Sequence, residues 1–170
     1  MRKAHVAPAQ AGIAINRSRS EHKIMKIASW LKANVLYIAW LQAITAMAGS
    51  LFFSEILLYP PCVLCWYQRI AMYPLVIILA VGIAKKDKLI AWYALPLSLI
   101  GLGISIFHNL LYYKLIPDEI APCITGVSCT TKFIEYFGFI TIPFLSMLSF
   151  ILVSVCVIYY HVTHKNSHHE

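Results

Sequence analysis

The chain has 170 residues, of which 60% are hydrophobic and 12% are charged, whereas a soluble domain normally carries about 25% charged residues. This composition leaves too little polar surface to cover a soluble fold, so the sequence predicts a membrane protein with a single membrane domain. The net charge of +7 would suit a nucleic-acid-binding protein. The basic residues, however, lie at the ends of apolar segments, so membrane topology explains them and we expect no nucleic-acid partner.

Residues 1–33 form a polar and basic segment that precedes the first long apolar run. The weak apolar patch at residues 11–15 is too short for the core of a signal peptide, so we expect a disordered cytoplasmic tail. Met25 and Lys26 directly precede the apolar run. A translation start at Met25, which would leave residues 1–24 untranslated, therefore stays open as an alternative.

Four apolar segments follow, each about 20 residues or longer and so able to cross about 30 Å of hydrocarbon. Pro96 lies inside the third segment and Pro143 near the start of the fourth, which membrane helices tolerate. A short His-rich cytoplasmic tail at residues 161–170 closes the chain. The predicted fold is an all-α membrane protein, a bundle of four transmembrane helices over residues 34–53, 65–84, 89–113 and 136–160.

The distribution of Lys and Arg predicts the orientation of this bundle. Of the 14 basic residues, seven precede the first segment, three lie in the turn at residues 85–88, and Lys165 lies in the C-terminal tail. Only Lys114 and Lys132 fall in the loops on the opposite side. We therefore expect both termini in the cytoplasm and the loop cysteines on the outer, oxidising face, where disulfides persist.

Cys62 and Cys65 follow Pro60-Pro61 and open the second apolar segment. A cysteine at a helix N-terminus is stabilised as a thiolate by the helix dipole, which lowers its pKa. Arg69 follows Cys65 by four residues, so the two side chains share one helix face. This pattern favours thiol redox chemistry at a membrane surface, with Arg69 stabilising a Cys65 thiolate and donating to the polar head of a lipid-phase ligand. An arginine that snorkels to the interface is the alternative.

Cys123 and Cys129 lie in the longer loop between the third and fourth segments, and Gly126 between them permits the sharp turn that a disulfide needs. A small exposed loop disulfide is open to attack by an external thiolate. Spacing alone does not separate a redox pair from a structural disulfide or a zinc site, because the two cysteine pairs together offer four ligands. All three interpretations stay open at this point.

Three further features lie in or beside the apolar segments. His108 lies near the outer end of the third segment at the height of Arg69, so it is either a buried core residue or a second group that faces the same ligand. Cys156 lies inside the fourth segment and is expected to be an inert core cysteine. The histidines of the C-terminal tail are expected to be solvated.

The second segment opens with Cys-Val-Leu-Cys-Trp-Tyr-Gln-Arg at residues 62–69, and a second cysteine pair separates the third and fourth segments. With four spans, this pattern resembles the disulfide bond formation protein B (DsbB) family. The stretches at residues 49–55, 62–70 and 138–143 are most similar to its BdbC branch, and the resemblance covers residues 35–160. A Cys-x-x-Cys alone would be weak evidence, but the motif together with this topology is specific.

The resemblance implies a protein dithiol:quinone oxidoreductase of the bacterial cytoplasmic (inner) membrane that supports disulfide formation in exported proteins. It implies that a Cys123–Cys129 disulfide exchanges with a thioredoxin-like oxidase of the DsbA or BdbD type, with Cys123 as the sulfur that is attacked. A Cys62–Cys65 disulfide then takes up the electrons and delivers them to ubiquinone or menaquinone, with Cys65 at the ring.

Arg69 and His108 match positions that the family associates with the quinone. Gln68 departs from the family, because an acid often precedes the arginine there. The second cysteine pair is also spaced more tightly than in the founding members, which bears on how the partner oxidase docks.

A metal-binding or metal-transporting membrane protein that uses the four loop cysteines is the alternative from a different functional class. The spans lack the chain of polar or acidic residues that an ion path requires, so we favour the oxidoreductase, in which no metal is expected. A structural subunit stapled by disulfides is the third interpretation.

Overall fold

The computed structural model describes residues 8–117, 122, 128–129 and 141–165. The chain divides into two compact units, Met1–Asn34 and Val35–Glu170, and each is described by itself. The described residues form helices and connecting turns. These elements are α1 (Pro8–Leu51), a π-helical turn (Phe52–Ile56), α2 (Val63–Lys85), α3 (Ile90–Tyr112) and α4 (Ile142–Lys165).

Four helical stretches in the described part of the chain are long and apolar enough to cross a membrane. This result confirms the predicted fold class, an all-α protein with four membrane-spanning helices. The second and third spans agree with the predictions to within two residues at either end. The four stretches are Met25–Ile56, Val63–Lys85, Ile90–Tyr112 and Ile142–His164.

The expectation of a disordered tail is wrong for residues 8–33, which are helical. Pro8 stands at the first helical position, where its fixed φ and missing N–H fit a helix start. Most of the residues that follow are alanine, lysine, arginine, glutamine, glutamate and isoleucine, which a helix accommodates at low free-energy cost. High polarity and charge had suggested disorder, but they do not oppose a helix.

Of the predicted fourth span at residues 136–160, the structure describes residue 141 onward. Thr141 is not helical, and its side chain accepts the N–H of Phe144 at 3.3 Å, so it caps a helix that starts at Ile142. Pro143 lies in the first turn, where its missing N–H leaves no helical bond unmade. Hydropathy does not register a capping residue. At the other end α4 reaches Lys165, so the first residues of the predicted His-rich tail are helical.

The core of the membrane unit is built from small and branched side chains of all four helices. Lipid tails are as apolar as these side chains, so close packing rather than the hydrophobic effect holds such helices together. Gly101 of α3 lies so near Phe150 of α4 that a Cβ built at this glycine would overlap the ring. The buried core comprises Val35, Ala39, Ala43, Ala71, Met72, Leu75, Leu79, Ile90, Ala91, Ala94, Phe150, Val153, Val157 and Tyr160.

A tight turn joins α2 to α3, as the sequence predicted. Lys86 adopts the left-handed conformation (φ 51°) at the end of α2, and its N–H bonds back to the helix carbonyls. Asp87 accepts the Leu89 N–H at 2.8 Å and the hydroxyl of Tyr93, and these two bonds hold its pKa below the usual value. The turn makes α2 and α3 antiparallel, so the start of α2 and the end of α3 lie at the same end of the bundle.

Candidate active site

The first cysteine pair lies at the N-terminus of α2, as predicted. Cys62 is the capping residue, with extended backbone angles (φ −74°, ψ 172°), and its sulfur accepts the N–H of Cys65 at 3.3 Å. The preceding residue pair, Pro60-Pro61, cannot continue a helix backwards from this point. The thiolate of Cys62 therefore faces the positive end of the α2 dipole.

Cys62 and Cys65 carry free thiols with their sulfurs 2.8 Å apart. The disulfide between them stays a prediction. The pKa of Cys62 is lowered, chiefly because the Cys65 thiol donates a hydrogen bond to its sulfur, with further contributions from His108 and the Cys65 N–H; burial opposes these effects. The assignment of the stabilised thiolate to Cys65 stays a prediction.

His108 of α3 is 2% exposed and joins the two cysteine segments. Its Nε2 lies 3.8 Å from the Cys62 sulfur and 3.2 Å from the backbone carbonyl oxygen of Cys129. Its Nδ1 lies 3.4 Å from the amide nitrogen of Gln68. Since that amide nitrogen is a donor, Nδ1 accepts, and the proton of the neutral ring stands on Nε2, where it can bond the Cys129 carbonyl oxygen.

Arg69 is buried rather than interfacial, with 9% of its surface exposed. Its Nε donates to the hydroxyl of Ser50 and its Nη2 to the Ser50 carbonyl oxygen, each at 2.9 Å. Its guanidinium carbon also lies 5.3 Å from the centroid of the Trp66 ring. These two hydrogen bonds use two of the five N–H donors of the guanidinium, and Arg69 also lines the cavity described next.

A cavity of about 340 Å³ is lined by five of the six predicted site residues, all except Cys123, which lies outside the described residues. Volumes of this size are typical of small-molecule sites, which combine apolar walls with a few placed polar groups. On the α1–α4 side the cavity is bordered by Gln42, whose amide donates to the Ser149 hydroxyl at 3.2 Å. Its redox and polar lining includes Ser50, Cys62, Cys65, Gln68, Arg69, His108 and Cys129, and its apolar lining includes Phe53, Met72, Leu145 and Phe150.

The second cysteine segment is described only in part. Cys129 is disulfide-bonded and 4% exposed, and it packs in one buried apolar cluster with Cys62, Leu64 and Leu111. Cys123 lies outside the described residues, so the geometry of the predicted pair stays untested. Cys156, by contrast, has a free thiol and packs against the central core of the bundle.

The sequence did not identify every residue that builds this site. Ser50 and Asn109 gave no signal, and Gln68 stood out only as a departure from the family pattern. Asn109 follows His108, and its side-chain amide donates to the carbonyl oxygens of Ser105 and of Pro143 at 2.8 and 2.9 Å. It therefore fixes the start of α4 beside His108.

The described cysteines do not assemble a four-cysteine metal site, because the Cys129 sulfur is engaged in a disulfide. The groups that do converge are Cys62, Cys65 and His108, whose ligand atoms lie within 4.8 Å of one another. Fold and site together define an integral membrane protein with a reactive dithiol and a second, disulfide-bonded cysteine at one cavity. This combination is typical of the membrane thiol oxidoreductases.

Comparison with known proteins identifies the family. The profile of the family "Disulfide bond formation protein DsbB" matches residues 32–160. The chain is 49% identical to "Disulfide bond formation protein C" of Bacillus subtilis over 122 residues, which cover 71% of this chain and 87% of the relative. It is 48% identical to "Probable disulfide formation protein C" of Halalkalibacterium halodurans over 123 residues, 72% of this chain and 90% of the relative. No solved structure matches it.

The chain belongs to the DsbB family of disulfide bond formation proteins, with relatives of the C type. The resemblance drawn from the residue 62–69 motif is thus confirmed. Membership makes disulfide bond formation the general activity and oxidoreductase the class of enzyme.

Proposed function

We propose that this protein takes two electrons from the dithiol of a thioredoxin-like oxidase of the DsbA or BdbD type and passes them to a membrane quinone. The observation that carries the proposal is the position of His108 at the cavity wall. One imidazole nitrogen contacts the Cys62 sulfur at 3.8 Å and the Cys129 carbonyl oxygen at 3.2 Å. Cys62 and Cys129 also pack in one buried cluster, which supports thiol-disulfide exchange between the two cysteine segments beside this cavity.

The first exchange takes place at Cys123 and Cys129. A partner thiolate attacks Cys123, the bond between the two cysteines breaks, and a mixed disulfide forms with Cys129 as the leaving thiolate. The second partner thiol then resolves this mixed disulfide. The partner leaves oxidised, and both electrons remain on the cysteines of this protein.

The second exchange moves the electrons to Cys62 and Cys65. A thiolate of the second pair attacks their disulfide, the second pair closes again, and Cys62 and Cys65 are left as the dithiol.

The cavity fits a quinone head group. A flat apolar ring with carbonyl acceptors matches its apolar walls and the free donors of Arg69, and His108 lies at the same wall. A quinone, when bound, would supply an acceptor for two electrons and two protons. Within the chain, Arg69 would orient a carbonyl by hydrogen bonding, and His108 would border the ring at the same wall.

The proposal places the protein in the bacterial cytoplasmic membrane with both termini in the cytoplasm. The excess of Lys and Arg in the tails and in the α2–α3 turn supports this orientation. Both cysteine segments then face the outer side, where exported proteins need disulfides.

The test is turnover of purified protein with a reduced thioredoxin-like oxidase and a short-tailed quinone. We expect the quinone absorbance to fall only when the reduced partner is present. The Cys62→Ser/Cys65→Ser double variant should abolish this reaction, and Cys156→Ser should leave it unchanged. Loss of activity in Cys156→Ser, or turnover in the double variant, would contradict the assignment of the dithiol.

The order of the two exchanges has a separate test. With a partner that lacks its resolving cysteine, Cys129→Ser should accumulate a covalent complex through Cys123, and Cys123→Ser should accumulate little. The double variant at Cys62 and Cys65 should still form the complex. A complex that requires either of these two residues would reverse the proposed direction.

A further inference from the structure

Cys62, Cys65 and His108 together offer three metal ligands. The proposed redox cycle does not require a metal at this place. The ligand atoms of these three residues lie within 4.8 Å of one another. In a tetrahedral zinc site, with Zn–S about 2.3 Å and Zn–N about 2.0–2.1 Å, neighbouring donors stand roughly 3.5–3.8 Å apart. The 3.8 Å between the Cys62 sulfur and His108 Nε2 already fits. The two sulfurs, now at 2.8 Å, must separate by about 1 Å to reach the same geometry.

We propose that the reduced protein binds one soft or borderline divalent cation, Zn²⁺ or Cd²⁺, through Cys62, Cys65 and His108, and that the bound cation inhibits it. Two thiolates and one imidazole are ligands that these ions prefer. The fourth coordination position faces the cavity that these three residues line. The inhibitory part rests on the proposed quinone reaction, whereas the binding part does not.

Binding depends on the redox state of the protein. A Cys62–Cys65 disulfide removes two of the three ligands, so the oxidised protein has no such site. The cation therefore binds only while Cys62 and Cys65 are reduced, that is, after they have received electrons and before they have passed them on. It holds the sulfurs as thiolates bound to metal, and no electron is transferred in this step.

Gln68 allows the His108 imidazole to change from a hydrogen-bonding group into a metal ligand. In the present arrangement Nδ1 accepts from the Gln68 amide nitrogen, and Nε2 lies against the Cys129 carbonyl oxygen at 3.2 Å. A metal on Nε2 requires the ring proton on Nδ1, which the Gln68 amide oxygen accepts once the amide turns over. Metal binding therefore breaks the His108 contact with the Cys129 carbonyl oxygen and occupies both sulfurs of the dithiol.

The binding test uses full-length protein in which Cys123, Cys129 and Cys156 are serine, so that only the dithiol remains. Titration with Co²⁺ should give the visible absorption bands of a tetrahedral thiolate site, and Zn²⁺ should displace it with one ion bound per chain. After oxidation of Cys62 and Cys65 the bands should be absent. Equal binding by the oxidised and reduced proteins would overturn the site.

Two substitutions separate this site from simple chelation by a dithiol. His108→Ala should weaken Zn²⁺ binding more than tenfold, and unchanged affinity would remove His108 from the ligand set. Gln68→Leu should weaken binding about 10- to 100-fold, the usual effect of losing a partner of a ligating histidine. Gln68→Glu should retain or strengthen binding, and a loss in Gln68→Glu equal to that in Gln68→Leu would contradict the role given to the amide.

Inhibition is measured on wild-type protein loaded with Zn²⁺ in its reduced state. Quinone reduction should start only after a chelator is added, whereas protein that was exposed to Zn²⁺ in its oxidised state and then freed of excess ion should react at once. Prompt turnover by the reduced, loaded protein would overturn the inhibition. A wild-type protein that never reduces quinone would instead refute the proposed function and leave the metal titration to stand by itself.

Discussion

At the residue scale, the site depends on side chains that serve two neighbours at once. His108 contacts Cys62 and the Cys129 carbonyl oxygen through one nitrogen. Arg69 bonds Ser50 of α1 while it lines the cavity. A substitution at either position therefore has a structural and a chemical consequence, and an experiment must separate the two.

Arg69→Ala should raise the apparent KM for quinone and leave thiol exchange with the partner oxidase nearly intact. Loss of one charged hydrogen bond is worth about 1.5–3 kcal/mol, or roughly 10- to 150-fold in affinity. Ser50→Ala is the matched control, because it removes the hydroxyl that anchors Nε but keeps the guanidinium. Equal effects of the two substitutions on quinone KM would show that Arg69 acts only by holding α1.

The sequence predicted part of this site for physical reasons. A Cys-x-x-Cys after Pro-Pro predicts a thiol at a helix N-terminus, and the i to i+4 spacing of Cys65 and Arg69 predicts a shared face. It did not predict that Ser50 would bond Arg69, because that contact joins two helices across the bundle. The approach of His108 to the Cys129 carbonyl is likewise a contact between distant parts of the chain, for which one sequence gives no spacing rule.

At the scale of elements, α3 and α4 approach closely where Gly101 meets Phe150. The Phe150 side chain is fully buried, and Ser154 donates to Ser98 at 3.1 Å one turn further along α4. A small residue at such a crossing lets a side chain of one membrane helix pack directly against the backbone of the other. The contact therefore determines how firmly α4 is held beside the site.

Gly101→Ala should destabilise the protein by about 1–3 kcal/mol, the usual effect of overpacking a close contact. Gly103→Ala is the control in the same helix, because a Cβ at Gly103 meets no atom within 4 Å. Thermal unfolding in detergent should show a lower Tm for Gly101→Ala and no decrease for Gly103→Ala. If Phe150→Leu is added to Gly101→Ala, part of the loss should be regained. Equal Tm values for the two alanine variants would refute the close contact.

Asp87 gives the α2–α3 turn a pH dependence. Its folded-state pKa is lowered, first by the Tyr93 hydroxyl and then by the Leu89 N–H, from an ordinary value of 3.8. A lowered folded pKa contributes stability above the ordinary value, and this contribution is lost as pH falls through the folded pKa. The stability difference between wild type and Asp87→Asn should therefore be largest above about pH 4 and shrink below it.

Tyr93→Phe, which removes the first of these bonds, should reduce the same pH dependence. The measurement is the free energy of unfolding in detergent between pH 6 and pH 3. A difference between wild type and Asp87→Asn that stays constant over this range would show that the carboxylate contributes nothing through its charge.

The lengths of the elements were predictable where hydropathy alone decides them. The second and third spans follow from uninterrupted apolar runs that end at charged turns. The start of α4 at Ile142 could not be predicted in this way, because it is set by the Thr141 cap and by Pro143, which hydropathy treats as ordinary residues. The first segment was called disordered from its charge, although charge and helical backbone are compatible.

At the scale of the whole molecule, the orientation in the membrane is the property that the function requires. The native cysteines are poor reporters of this orientation, because Cys62 and Cys129 are 6% and 4% exposed. Two exposed positions at opposite ends of the bundle serve better. Leu58 precedes α2 and is 78% exposed, and Lys88 lies exposed in the α2–α3 turn.

The test uses a cysteine-free background and cells from which the layers outside the cytoplasmic membrane have been removed. In these cells, Leu58→Cys should react with a membrane-impermeant maleimide added from outside. Lys88→Cys should react only after the membrane is permeabilised. The positive-inside distribution of Lys and Arg is the reason. The reverse labelling pattern would overturn the orientation and, with it, the proposed meeting with an external partner oxidase.

The short α2–α3 turn also bears on how the protein is made. Lys85 ends one helix and Ile90 begins the next, so the ribosome delivers two apolar segments with almost no polar chain between them. We expect such a pair to enter the bilayer as one helical hairpin. Cys62 and His108 stand at the two free ends of that hairpin, so its insertion would bring both side chains to the same membrane face.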